Sequence, residues 1–483
     1  MRLLLLIVAQ KLLKSIQSVG FNMTQEKEFL SCSRILAIMV ILCFMFQYML
    51  RVNISIAIVD MIAKNNSNTS PDSHPHFPWN EEEKNEILGS FFWGYLLMTI
   101  PGGRLSEIYG SKIVLGSTML LASILTILTP FACNLHYYGA IVVRTALGLA
   151  LGVFFPSLPP MVAKWIPPQD RSKFMSHSAA GYLGTALTLP LCGFLIAHLG
   201  WPSTFYFTGA VALIWALAWF YLIYDSPEQH PRISKEEKEA LGGQIKVDAS
   251  AKHDIPWRKL FTSKPVWAII VSNTSLLFSL FFILSELPSY MKQVLDFKIE
   301  TNGLLSSFPY AATYLAAIVS CYLADRWNKS KTFTLLTIRK IFTSLALFGP
   351  ALLFFIQSFW GYNCAVSIVV FTLSLGFMGC FPAGFYSNCL DIAPAFAGTI
   401  FGVAAAFGSL AGYLSTKILS LITKEQQSFQ QWRYIFWILI GVELVGAGFY
   451  LVYASGKVQS WNSSTTEAEM TKLNPEKECQ VEA

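Results

Sequence analysis

The chain has 483 residues, 54% of them hydrophobic and 13% charged. Soluble domains carry about 25% charge, so this composition excludes an ordinary soluble protein and points to one that lives in lipid. The net charge of +6 reads as loop Lys and Arg setting orientation rather than as a nucleic-acid surface. Nine cysteines scattered through apolar runs, with no Cys-x-x-Cys, exclude a zinc or redox framework and read as small packing residues.

Residues 1–33 form a leader expected on the cytosolic side. Its apolar stretch Leu3 to Ala9 is too short to span a bilayer. It reads either as an extension ahead of Met23 or as a signal segment without a clear cleavage site. Spans of roughly the 20 residues that cross a hydrocarbon core follow at 34–60, 86–106, 112–132, 137–160, 174–196 and 203–224. After a polar stretch come 265–287, 304–323, 340–357, 362–386, 394–422 and 432–454. The pattern is an all-α membrane protein of twelve transmembrane helices in two six-helix halves, 34–224 and 265–454. A cytosolic linker, 225–264, joins the halves, and a polar tail, 455–483, follows them. In the linker, Ser234-Lys-Glu-Glu237 is a capping box that predicts a short surface helix.

Lys and Arg concentrate after the even-numbered spans, at Arg104, Lys112, Lys164, Arg171 and Lys173, then at Arg326, Lys329, Lys331, Arg339 and Lys340. The opposite loops carry almost none, which predicts that both termini are cytosolic. The loop after the first span holds glycosylation sequons at Asn65 and Asn68, on the side predicted to face outward. Cys133 and Cys364 both lie near outer loops, where a bridge between them is open to test.

Weak internal repetition is the mark of many transporters. Gly102-Gly103-Arg104-Leu-Ser-Glu107-Ile-Tyr-Gly110-Ser-Lys112 follows the second span, and Tyr322-Leu-Ala-Asp325-Arg326-Trp327 follows the eighth. Each copy places an acid at a cytosolic helix end with a base close by. Such a turn holds two helices together in one state and releases them in another. Gly103, Glu107, Lys112, Asp325 and Arg326 are therefore the candidate gating residues. Gly94, Gly102, Gly148, Gly152, Gly181, Gly184 and Gly193 predict close helix packing.

Ionisable residues inside a membrane are costly and functional by default. Arg51 lies within the first span and Arg144 within the fourth. With no acid nearby in their own spans, the two guanidiniums suit a carboxylate or phosphate. The competing reading is that each snorkels to an interface or pairs with a remote acid such as Asp60 or Glu286. Glu286 suits a gate, a coupling cation or an interfacial rim. Glu443 reads as off the central path. His177 reads as a titratable or a packing histidine.

The motifs Tyr48-x-x-Arg51-Val-Asn53, Gly89-Ser-Phe-Phe-Trp93-Gly-Tyr95, Ile100-Pro-Gly-Gly103, Lys164-Trp165-x-Pro167 and Asn388-x-Leu390-Asp391-Ile-Ala-Pro394 resemble the anion–cation symporter family of the major facilitator superfamily. That family includes sodium–phosphate cotransporters, sialin and vesicular glutamate transporters. The linker stretch Tyr224-Asp225-x-Pro227-x-x-His230-Pro231 is most similar to the sodium–phosphate branch. The resemblance implies a major facilitator fold with a central cavity and alternating access. It makes Arg51 and Arg144 the anion-binding arginines and places Tyr48, Tyr95 and Asn388 in the same cavity.

The departures are Leu147 and Leu151 where sialin-like members carry acids, Leu88 where glutamate carriers have His, and an apolar run around Leu276 where they have Arg. They imply no proton relay in the fourth span and a poor fit for glutamate. The expectation is a monomeric carrier of small anions in the plasma membrane, with a coupling cation, sodium first. No cofactor, metal site, catalytic residue or nucleic-acid partner is expected. A membrane enzyme would need a convergent acid–base set, and no His-Glu-x-x-His or Gly-x-Ser-x-Gly is present. A voltage-driven carrier and a non-transporting receptor on a carrier scaffold remain as alternatives.

Overall fold

The computed structural model describes residues 31–62, 77–166, 174, 176–234, 236–238, 256–393, 396–423 and 428–462. The sequons at Asn65 and Asn68 and the basic residues Arg171 and Lys173 lie outside them. The N-terminal half comprises α1 (Cys32–Met61), α2 (Glu81–Tyr109), α3 (Ser111–Leu135), α4 (Tyr137–Gly152), α5 (Phe154–Trp165), α6 (Ala180–Leu199) and α7 (Pro202–Leu222). After a short α8 (Trp257–Thr262), the C-terminal half comprises α9 (Lys264–Gln293), α10 (Ile299–Leu305), α11 (Phe308–Lys329) and α12 (Leu335–Trp360). It ends with α13 (Cys364–Met378), α14 (Phe385–Ile392), α15 (Ala397–Ile422) and α16 (Phe429–Tyr453).

Eleven of the described spans are long and apolar throughout; α2, with 29 residues and charged ends, makes twelve. Its start is written in the sequence. Asn80 accepts from the Glu83 amide at 2.8 Å and Glu83 returns a bond to the Asn80 amide at 2.9 Å, a full capping box.

Two spans are broken where hydropathy reads them as continuous. The fourth breaks at Val153, between α4 and α5; Pro156, four residues past Gly152, has no N–H to continue the ladder. The tenth breaks between α13 and α14, where Phe381–Ala383 forms a single 3₁₀ turn around Pro382. Irregular backbone at this depth is tolerated where protein or a cavity surrounds it.

Within the N-terminal half α2 packs on α4 and α1 on α6. A Cβ at Gly148 would overlap the Phe91 carbonyl oxygen, one at Gly94 the Thr145 carbonyl oxygen, and one at Gly184 would sit 2.5 Å from the Met45 oxygen. These glycines let backbones touch, and that contact supplies much of the attraction between helices in lipid.

The halves meet through α2 with α15, α6 with α10 and α11, and α1 with α9. The contacts lie toward the end remote from the linker: Gly89 against Thr416 and Tyr413, Gly412 against Phe92, and Gly193 against Ile299 and Gly303. The molecule is therefore closed at that outer end.

The described start of the linker is docked on the N-terminal half. Glu237 accepts from the Cys32 amide at 3.1 Å, the Ser33 amide at 3.0 Å and the Ser33 hydroxyl at 2.7 Å. Only half of the expected capping box forms there: the Glu237 amide donates to Ser234 at 3.1 Å, while the Glu237 carboxylate caps α1 instead. The Cys133–Cys364 bridge is also absent; Cys133 is buried, Cys364 exposed, and both thiols are free.

Candidate functional site

A cavity of about 270 Å³ lies between the halves. Tyr48 and Arg51 reach it from one face of α1, Tyr95 from α2, Tyr182 from α6, Phe281 from α9 and Tyr386 from α14. Its remaining walls come from the linker-side portions of the helices, including Phe155, Cys321 and Phe401. With the outer end closed, the cavity belongs to a state facing the linker side.

Arg51 is 7% exposed and Arg144 3%. The Arg51 guanidinium carbon lies 4.0 Å from the Phe281 ring centre, 4.9 Å from Phe91, 5.1 Å from Phe92 and 5.7 Å from Tyr95. Arg144 lies 5.2 Å from the Phe91 ring and donates through Nη2 to the Arg51 carbonyl at 3.4 Å. Aromatic faces attract a cation without neutralising it, so the donors of the fork stay available to an anion. Arg51 Nη2 and Arg144 Nε have no hydrogen-bond partner among the described residues. Neither guanidinium has a carboxylate in salt-bridge contact among them. The pairing of Arg51 or Arg144 with Glu286 is thus not made. A small second chamber, lined by Ser55, Leu88, Ser285 and both arginines, joins the two charges.

Four of the expected site residues therefore come together: Tyr48, Tyr95, Arg51 and Arg144. Asn388 does not join them. Its amide donates to the Tyr450 hydroxyl at 2.9 Å, fully buried against α16, because α14 turns that face away from the cavity. Glu286 is no rim residue; it is 0% exposed, with its Oε2 3.7 Å from Lys84 Nζ. His177 lines the cavity, its Nδ1 2.8 Å from the Phe174 oxygen. Glu443 sits fully buried in α16, away from the cavity lining.

The gating residues divide in the same way. The amide of Lys112 donates to Asp225 at 2.7 Å and its ammonium lies 3.8 Å from the Tyr224 ring centre. Gly110, at φ 88°, turns tightly beside that Asp225 carboxylate, where a Cβ would collide. The surroundings of Gly103 and the side chain of Glu107 lie outside what the structure describes. Asp325 and Arg326 are exposed on the linker side. The ion pair at this end of the second half is made instead by Arg339 and Asp391, at 2.7 Å, with Arg339 also donating to the Ala383 oxygen at 2.9 Å.

Sequence reasoning did not find Lys84, Phe281 or Asp225. Phe281 sits in an unbroken apolar run, and Lys84 reads as part of a charged loop end. Asp225 does appear in a motif, but nothing local says that it returns to Gly110.

The major facilitator superfamily model matches residues 36–416. The chain is 35% identical to human sialin over 445 residues, covering 88% of this chain and 90% of that one. It is 34% identical to vesicular glutamate transporter 3 of Danio rerio over 436 residues, covering 88% and 74%. Among solved structures, a bacterial homologue of the human lysosomal transporter Spinster, inward-facing and unoccupied, superposes at TM-score 0.66 with 12% identity, over 87% of this chain and 97% of that chain. The inward-open xylose transporter of E. coli gives 0.64 with 13% identity, over 90% and 99%. The enzyme reading is thereby excluded: the chain belongs to the major facilitator superfamily of secondary transporters and, within it, to the anion–cation symporter group that holds sialin and the vesicular glutamate transporters.

Proposed function

We propose that the protein carries small anions, inorganic phosphate or an organic carboxylate, by alternating access, with uptake driven by a cotransported cation, sodium first. The observation that carries this reading is the pair of buried guanidiniums, Arg51 and Arg144, held by aromatic rings and left without a carboxylate. A bare cation pair in lipid is costly, and an anion with two or more oxygens would satisfy both forks. The cycle alternates between the linker-side cavity described above and its mirror, open at the outer end.

The lining of the cavity contains no Asp or Glu among the described residues, and Leu147 and Leu151 are buried hydrocarbon in α4. Neither place holds a carboxylate, which supports transport without a proton relay in the fourth span; glutamate is proposed to be a poor substrate. The same absence favours a second reading, a voltage-driven carrier. An inside-negative potential opposes anion entry by about 2.3 kcal/mol per charge per 100 mV, so that carrier would export. We further propose a monomer in the plasma membrane; the cytosolic placing of the termini rests on the basic linker-side loops and the sequons at Asn65 and Asn68.

Uptake of labelled phosphate and labelled urate into vesicles of pure protein tests this. An inward sodium gradient, a potential alone and Arg51→Ala are the arms. Sodium-driven uptake lost in Arg51→Ala supports symport, and potential-driven flux without sodium supports the facilitative carrier. Absence of saturable flux of both anions by folded protein removes the substrate class.

A further inference from the structure

The cavity lining offers no carboxylate to a coupling cation, so the place for one must be sought elsewhere. Two carboxylates within the spans, Glu443 and Glu286, are 0% exposed. Glu443 is buried within the C-terminal half, where α16 packs on α9 and α12. Rocking of the halves leaves those surroundings unchanged, and a coupling site must differ between states. Glu286 does differ, because it stands on α9 where the N-terminal half closes against it.

At this closure Lys84 Nζ lies 2.6 Å from Glu81 Oε2, on its own helix, and 3.7 Å from Glu286 Oε2 across the gap. Gln293 of α9 donates to Glu81 Oε1 at 2.9 Å. Among the described residues two carboxylates thus share one ammonium, which leaves one negative charge uncompensated there. Lys84 itself is 2% exposed and is held mainly by Glu81. Neither oxygen of Glu286 has a hydrogen bond of good geometry among the described residues, and the hydroxyl of Ser289, one turn further along α9 and 1% exposed, lies beside that carboxylate. Asn85, next to Lys84 and 2% exposed, has both amide atoms unpartnered. Among the described residues, the other charged groups brought to this end are occupied, of the wrong sign or, in the case of Lys298, exposed to water. Lys417 of α15 lies 3.5 Å from Glu82, Arg433 of α16 stands over the Phe359 ring, and Lys292 pairs with Asp296. Asp60 of α1 and Glu300 of α10 add negative charge.

Burying an uncompensated carboxylate is strongly unfavourable. In the outer-open state that burden is lifted, because Glu286 departs with α9 into water while Glu81 and Lys84 remain together on α2. Closure is therefore the step at which charge must be supplied. Resting on the cation-driven reading above, we infer that the outer gate is the coupling site: Glu286, with Ser289 beside it on α9, takes up one monovalent cation, a proton or a sodium ion, each time α2 closes on α9. By reciprocity, the cation favours closure by the factor with which closure tightens its binding.

Full-length protein in nanodiscs, with Cys321→Ser, Cys364→Ser and Cys479→Ser and spin labels at His136→Cys and Tyr362→Cys, reports the outer gap as a distance distribution. Sodium is varied against choline near pH 8, and pH is lowered to about 5 without sodium; these two arms separate the two cations. Uptake of one cation makes the closed-to-open ratio rise by up to about tenfold per tenfold increase of that cation. Glu286→Gln, which removes the surplus charge at equal size, should stay closed under every condition. Lys84→Met, which deepens the surplus, should open the gap and steepen the response. Wild-type distances insensitive to both cations, or Glu286→Gln responding like wild type, overturn the inference. Cation-dependent closure without cation-driven anion uptake leaves the gate site standing and removes the coupling reading. Driven uptake with a gate indifferent to cations does the reverse.

Discussion

The Arg51 side chain shows how the site separates holding a charge from neutralising it. Its guanidinium is stacked by Phe281 at 4.0 Å, an attraction of about 1–2 kcal/mol when desolvated. Phe281→Leu is expected to raise the KM for the anion roughly five- to thirtyfold while leaving the fold intact, as saturation kinetics in proteoliposomes would show. Hydrogen bonds to a charged group contribute about 1.5–3 kcal/mol each, so Arg51→Ala should lower kcat/KM by about 100-fold or more in the same assay. Arg51→Lys keeps the charge but loses the planar fork and its stacking, and should recover little of that loss. Arg51 and Arg144 were legible in the sequence because a charge in an apolar run stands out. Phe281 was not, since one phenylalanine in a hydrophobic span looks like every other. Asn388 was misplaced for a related reason: a motif states that a residue matters, whereas the helix rotation that turns it toward Tyr450 is set by tertiary packing.

Hydropathy located the spans well, since each helix has to present a largely apolar surface to lipid or to its neighbours. It missed the interruptions at Val153 and between α13 and α14 because both flanks are equally apolar, although Pro156 and Pro382 were there to be read. The capping-box pattern was read as local and only half of it forms; Glu237 leaves its own turn to cap α1, a pairing over about 200 residues that no local pattern encodes. The glycine pattern carried more. Gly94 and Gly148 were readable as packing residues, and the structure shows them set against each other's backbones, where any Cβ overlaps a carbonyl oxygen. Overpacking a close contact costs about 1–3 kcal/mol, occasionally more. Gly148→Val is therefore expected to lower the unfolding midpoint in detergent by several degrees or to abolish folded yield. Gly441, exposed on α16 with nothing within 4 Å of a Cβ, provides the contrast. Gly441→Ala gains about 0.5–1 kcal/mol of helix propensity and should leave the midpoint unchanged or slightly raised. Equal effects from the two substitutions would mean that the α2–α4 contact is not what holds this half together.

At the scale of the whole molecule, the outer end is closed by α2 against α15 and α6 against α10, while the cavity keeps its walls toward the linker. Two free cysteines happen to mark the two sides. Cys321 of α11 lines the cavity, and Cys364, at the start of α13, is exposed at the outer end. In sealed vesicles of known orientation, an impermeant maleimide at the linker face should modify Cys321 in protein carrying Cys364→Ser and Cys479→Ser. The same reagent at the outer face should leave Cys321 unmodified, since opening that face closes α11 against the N-terminal half at the linker end. On the proposed role of Arg51 and Arg144, saturating transported anion should draw the halves together around it and slow the modification several-fold. With Cys364 restored, outer-face reagent should label that thiol whether or not anion is present. Mass spectrometry of the labelled peptides reads all four arms. Equal labelling of Cys321 from both faces would describe a continuous pore, and the two halves would then not be taking turns. Labelling of Cys364 from the face that should carry the linker would invert the membrane orientation while leaving the rocking mechanism as it stands.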